Sequence, residues 1–245
     1  MAKRIKQTRN EQKTLGSSLR EMYYSVPDNI RYIVLWLVSL IILFLVLSYL
    51  FPIIFKALGV GTVSYGGLTF TKEVLGQNKN QINIYHYYYL YRDASGQLVQ
   101  NNIYLRNNPA EINIPVRGDI AFFANTSVII ALDTDNLLKC NQSSIAIGEL
   151  SSFIRNAGHN VSAGILNKTE AQDQNISYAD CGTTRDSMTI RVIIGNESSI
   201  TSNANYGCYQ ISAGSCNDLL PASEKFIVQA LVDAKNRTNS TSSSG

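Results

Sequence analysis

The run Tyr32–Phe55, YIVLWLVSLIILFLVLSYLFPIIF, holds 24 residues and no charge. A bilayer core ~30 Å thick is crossed by ~20 apolar helical residues, so a stretch of this length reads as a membrane span. At ~1.5 Å per residue it reaches ~36 Å, enough to cross with some tilt. Such a span divides the chain into a short leading segment and a long following one, on opposite sides of a membrane. Residues 1–31 carry seven Lys/Arg against three acids (Glu11, Glu21, Asp28). With totals of 21 basic and 18 acidic residues, 14 and 15 are left for residues 56–245. The basic flank places the amino terminus in the cytoplasm and residues 56–245 outside. A cleaved signal peptide has an apolar region of ~7–15 residues and a small-residue cleavage site. Ile53-Ile54-Phe55-Lys56 offers no such site, so an uncleaved signal anchor is expected. The pI of 8.6 is therefore a topology signal, and no motif points to nucleic acid as a partner.

Cys140, Cys181, Cys208 and Cys216 all lie beyond the span, and an even count there fits two disulfides. No CxxC occurs and the spacings do not suit zinc, so no metal or cofactor is expected. N-x-S/T sequons fall at Asn125, Asn141, Asn160, Asn167, Asn175, Asn196, Asn236 and Asn239, all on the same outer side. Their placement agrees with the topology and marks them as glycosylation candidates.

Residues 1–24 are polar and basic and read as a cytoplasmic tail. Ser25-Val26-Pro27-Asp28 is a helix start, and Ser39 and Ser48 inside the span are expected to bond their own backbone. Gly59–Gly67 reads as a short exit, and Leu68–Val74 has strand composition. Ile82–Tyr91 is the strongest strand signal, aromatic and β-branched. The turn Asp93-Ala94-Ser95-Gly96 returns it as Leu98–Arg106, a hairpin. The tyrosines between 85 and 91 are expected to pack across strands and under a covering layer. Asn107-Asn108-Pro109-Ala110 breaks the sheet, and Arg117-Gly118-Asp119, an adhesion tripeptide in spelling, reads as a turn.

From Ser127 the pattern becomes α/β. Val128–Leu132 is a buried strand, Ser144–Ala157 an amphipathic helix and Val161–Leu166 a second strand, which makes β-α-β. Residues 167–180 read as an exposed loop, Met188–Ile194 and Cys208–Ser212 as further strands, and Ile200–Tyr206 as irregular. Asn217 or Asp218 caps a last helix with Pro221 in its first turn, and residues 236–245 are expected to be disordered. Three disulfide pairings are possible. If strands 188–194 and 208–212 are antiparallel neighbours, Cys181 meets Cys216 and Cys140 meets Cys208.

Chemistry leaves few marks. His86 and His159 are the two histidines, one in the tyrosine strand and one after Gly158. No nucleophile elbow, phosphate loop, zinc helix or dinucleotide motif occurs. Asp133 and Asp135 follow an apolar strand, where α/β folds place functional groups, and a D-x-D spacing suits a cation as well as a solvated turn.

The runs YGGLTFTKE (65–73), IYHYYYLYRDASGQLVQNNIYLRNNP (84–109), IPVRGDI (114–120) and CYQISAGSC…ASEKFIVQALVDAK (208–235) resemble uncharacterised single-pass membrane proteins of small-genome archaea. The resemblance implies the same layout and an archaeal cell-surface setting, and it carries no activity. The expected fold class is α+β or α/β. A cytoplasmic tail (1–24) and a transmembrane helix (25–57) precede an extracytoplasmic β-hairpin region (58–126), a β-α-β-β-β-α unit (127–235) and a tail (236–245). The expected partners are the lipid bilayer and other membrane or cell-surface proteins, with no small-molecule substrate evident. A structural or accessory surface protein is the leading expectation. A ligand- or partner-binding module comes next and requires an exposed aromatic patch on the tyrosine hairpin. An envelope enzyme comes last and requires Asp133, Asp135 or a histidine to line a cleft.

Overall fold

A computed structural model describes residues 28–57, 61–76, 81–92, 97–123, 126–182, 187–203 and 207–242. The basic tail 1–24, the helix start at Ser25 and Pro27, the turn 93–96 and Asn125 lie outside these residues. The chain forms two compact units, residues 1–58 and 59–245.

The described residues of the first unit form one helix, α1 (Asp28–Ala57). Tyr32–Phe51 within it is long and apolar enough to cross a membrane, with a mean hydropathy of 2.9 and no part of it buried inside the protein. Trp36 and Phe44 are among its exposed rings. Ser48 Oγ donates to Leu45 O at 2.8 Å, so this hydroxyl is satisfied within its own helix.

The second unit is mixed α and β, with helices between two sheets. A four-stranded antiparallel meander runs β1 (Gly61–Tyr65), β2 (Leu68–Leu75), β3 (Ile82–Arg92), β4 (Leu98–Leu105) in spatial order. β1 arises where a short exit was expected. Gly66 and Gly67 take φ of +56° and +76° at its turn, and a Cβ on Gly66 would meet Val232 Cγ2 at 2.3 Å. Glycine is therefore required there by both backbone and space.

The second sheet has six strands in the order β5-β9-β10-β8-β6-β7. These are β5 (Val116–Arg117), β6 (Ser127–Leu132), β7 (Val161–Ile165), β8 (Ser187–Ile194), β9 (Ser199–Asn203) and β10 (Cys208–Ala213). β10, β8, β6 and β7 are mutually parallel, and β9 is antiparallel to β10. The helices are α2 (Thr134–Leu137), α3 (Ser143–Asn156), α4 (Lys168–Asp173) and α5 (Leu219–Ser242). α3 links β6 to β7, and α4 lies on the way back from β7 to β8. Right-handed connections running in opposite directions put α3 and α4 on opposite faces of the sheet.

α5 is the central element. Residues 222–228 are all buried, two full turns, and a helix covered all round must have neighbours all round. It packs on β10 and α3 and reaches the meander through Val232, Lys225 and Glu224. Leu68, Phe70, Ile103 and Leu105 of the meander thus join Leu150, Ile190, Tyr209 and Phe226 in one core cluster.

Five expectations need correction. Ser199–Asn203 is a strand, not an irregular stretch, and it takes the antiparallel place beside β10. β8 and β10 are therefore parallel, not antiparallel. The amino ends of both strands lie together, so Cys181 bonds Cys208, and Cys140, after β6, bonds Cys216, after β10. This replaces the expected pairs Cys181–Cys216 and Cys140–Cys208. The segment 167–180 also contains α4, capped by Asn167 Oδ1, which accepts from Thr169 N at 3.1 Å and Glu170 N at 3.3 Å. Finally, residues 236–242 continue α5 instead of forming a disordered tail.

Candidate functional site: an aromatic cleft between the layers

Alternation sorts the tyrosines of β3. Tyr85, Tyr87 and Tyr89 sit opposite Leu105, Ile103 and Asn101 on the face turned to the helices, while Tyr88 sits opposite Asn102 on the outer face. Tyr85 is buried; Tyr87 and Tyr89 pack partly against the core. Burial raises the pKa of Tyr87 and, together with the Glu111 carboxylate, that of Tyr85. The expected covering layer thus exists over one face. On the other, Tyr88 and Tyr104 are 58% and 53% exposed, and His86 stacks on Tyr104 at 4.6 Å.

Between the inner tyrosines and the end of α5 lies a cleft of ≈ 560 Å³. Tyr87, Tyr89 and Leu90 form one wall, and Ala234, Lys235, Arg237 and Thr238 the opposite one. Phe122, Phe153 and Leu231 contribute apolar surface, and Ala157 and His159 close one end. The volume falls within the ~300–1,000 Å³ of small-molecule sites.

The cleft is held by polar clamps. Asn101, buried on β4, donates to Tyr89 Oη at 2.8 Å and to Asn156 O at 2.9 Å. One side chain thus fixes a wall tyrosine and satisfies a carbonyl in the last turn of α3, where intrahelical donors run out. Phe122 comes from the linking segment 118–123, which leads from β5 towards β6. Ile120 N donates to Asp233 Oδ2 at 2.8 Å, and Arg237 Nη1 donates to Ile120 O at 3.1 Å. Ala121 N donates to Tyr209 Oη, which in turn donates to Ala121 O. Phe122 is thereby set among four rings, Phe153, His159, Tyr209 and Phe226, at 5.4–6.3 Å. His159 Nδ1 lies 2.9 Å from Thr126 O. A carbonyl only accepts, so Nδ1 carries the proton and Nε2 is the nitrogen left to a ligand.

Of the histidines and acids singled out in the sequence, His159 alone lines this cleft. His86 is on the outer face of the meander, 3.6 Å from Glu73. Asp133 accepts from Asn136 Nδ2 at 2.9 Å and Asp135 is exposed. The carboxyl end of β6, flanked by β7 and β8, is where open α/β sheets receive ligands. Here it is tied to its own neighbours: Leu166 N donates to Leu132 O at 3.0 Å, Asp133 N to Val192 O at 3.2 Å, and Thr134 Oγ1 to Glu170. Among the described residues no group of three or more His, Cys, Asp or Glu could hold a metal. Gly118 of the adhesion-like tripeptide takes φ +82°, and a Cβ there would meet Ser202 O at 2.8 Å, so the tripeptide is a bend. Asn141, Asn160, Asn167, Asn175, Asn196, Asn236 and Asn239 are all exposed.

A second polar cluster lies off the cleft. Glu224, buried in α5, accepts from Asn107 Nδ2 at 2.7 Å, Asn107 N at 3.1 Å and Arg106 N. Burial, opposed by these donors and reinforced by the Glu149 carboxylate, pushes its pKa up to about 7. Arg106 in turn pairs with Glu149 at 3.4 Å, whose own pKa is raised by burial.

Sequence reasoning missed Phe122, Lys235 and Arg237 as site residues. The first lies in an irregular link and the cations sit where the apolar stripe of α5 fades. No family model, no curated protein and no solved structure matches the chain, so the likeness to archaeal single-pass proteins stands on layout and short motifs alone.

Proposed function

We propose that the chain is a single-pass membrane protein, amino terminus cytoplasmic, that displays its second unit outside the membrane as a ligand-binding module. The observation that carries the binding role is the cleft: ≈ 560 Å³, walled by Tyr87 and Tyr89 and by a helix end, its position held by buried polar clamps. The orientation is supported by the basic flank of α1, and the outer, oxidising setting by two disulfides and the exposure of seven sequon asparagines. Full-length protein in nanodiscs, heated with a panel of small molecules, tests it. A true ligand at ~100 Kd raises Tm by about 5–10 °C. Ala234→Phe, which fills the cleft from an exposed helix position, is expected to abolish that rise. A panel that stabilises both proteins alike, or neither, removes the binding role.

A second reading, an accessory subunit of a membrane or surface complex, is favoured by the outer face of the meander. Tyr88, Leu98 and Tyr104 are each more than half exposed there, on a face that antiparallel sheets ordinarily give to polar residues. Tyr88→Lys with Tyr104→Lys is expected to release a stoichiometric membrane partner in crosslinking from native membrane. Retention of that partner counts against this face.

A further inference from the structure

We propose, resting on the binding role above, that the cleft takes a small organic anion: a flat apolar body bearing one carboxylate or phosphate. Three observations converge on that chemistry. The first is charge. Lys235 and Arg237 stand on one wall, and none of the thirteen lining residues is Asp or Glu. A wall of one sign facing an apolar, partly enclosed space attracts the opposite charge more strongly than the same residues would on an open surface. The second is shape. Tyr87, Tyr89, Phe122 and Phe153 all contribute to the lining, and aromatic walls favour planar partners through offset or edge contacts. The third is the polar inventory. Tyr87 Oη makes no hydrogen bond among the described residues, and His159 is oriented by Thr126 with Nε2 left over. Lys235, one of the lining residues, donates to Gly67 O and keeps further donors on the same nitrogen. A carboxylate or phosphate offers only acceptors and matches this set. A neutral apolar molecule of the same size would leave the remaining Lys235 donors without an acceptor.

The wall cations separate this inference from the binding role itself. The probes are 4-fluorophenylacetate, its neutral isostere 2-(4-fluorophenyl)ethanol, and 4-fluorobenzylammonium. Each is read by fluorine NMR line broadening with full-length protein in zwitterionic nanodiscs, with empty nanodiscs as the blank. The anion is expected to bind at least tenfold more tightly than the alcohol. Lys235→Glu is expected to cut anion binding at least tenfold, to change alcohol binding far less than that, and to raise binding of the ammonium. 4-Fluorophenyl phosphate and 6-fluorohexanoate then distinguish a phosphate head from a carboxylate and a flat body from a chain. Equal binding of anion and alcohol, abolished for both by Ala234→Phe, overturns the anion inference while the binding role stands. An anion preference unchanged in Lys235→Glu overturns it too, as does broadening no greater than that of empty nanodiscs for all probes. Unchanged circular dichroism and Tm in both variants exclude misfolding as the cause of any loss.

Discussion

The meander is made of neighbours in sequence and has no covalent brace, whereas the parallel strands of the other sheet are far apart in sequence and are braced at both ends. β3 pairs with strands that precede and follow it directly. β8, β6 and β10 find one another across helices and long links. Parallel pairing needs such crossovers and forms late, because loop closure must precede the contacts that reward it. The two disulfides fall where that difficulty is greatest, Cys181–Cys208 at the amino ends of β8 and β10 and Cys140–Cys216 beyond the carboxyl ends. The comparison teaches that local pairing with an aromatic inner face suffices for one sheet, and that non-local pairing is reinforced covalently in the other.

Four experiments break or sharpen that contrast. Removing Cys140–Cys216, which closes 76 residues, is expected to cost ~4.5 kcal/mol, against ~3.5 kcal/mol for Cys181–Cys208, which closes 27. Hydrogen exchange should show the loss in β6, β8 and β10 before β2 and β3; equal loss in both sheets would dissolve the distinction. Phe226→Ala, in the helix both sheets share, is expected to cost about 3–5 kcal/mol and to deprotect both sheets together, as read by denaturant unfolding with exchange.

The third experiment concerns the junction of β4 with α5. The folded pKa of Glu224, about 7, lies above its ordinary 4.5. An acid so shifted contributes stability that is fully present below pH 4.5 and is lost as pH rises through about 7. The fall amounts to at most ~3 kcal/mol. Glu224→Gln should flatten the stability profile across that window in thermal melts; a profile as steep as wild type would point to another group. The smallest effects divide the meander's two faces. Asn101→Ala, on the inner face, is expected to cost ~1–2 kcal/mol, because it leaves Asn156 O unsatisfied. Tyr88→Thr, on the outer face, should stay within ~0.5 kcal/mol in urea unfolding.

Much of the fold was legible where a strong period carried it. Twenty-four uncharged residues announced α1, the aromatic and β-branched run 82–91 announced β3, and Leu150, Phe153 and Ile154 gave the buried stripe of α3. β9 was not legible. In SITSN only Ile200 is apolar, yet that side chain is fully buried, and the four polar residues gave no period. Missing one short strand inverted the relation of β8 to β10 and with it the disulfide pairing, because parity of strand count fixes direction. The cleft was legible in part. His159 and the tyrosines were flagged, but the cleft exists because Asn101, Asp233 and Arg237 tie together segments more than 50 residues apart. No local pattern encodes such a tie.

The helix that fills the middle of this unit is also the part made after all ten of the described strands. The core that both sheets share is incomplete until Leu219–Lys235 has left the ribosome. The shared core of the unit is therefore completed only by its last helix, and until that helix arrives the apolar inner faces of both sheets are uncovered.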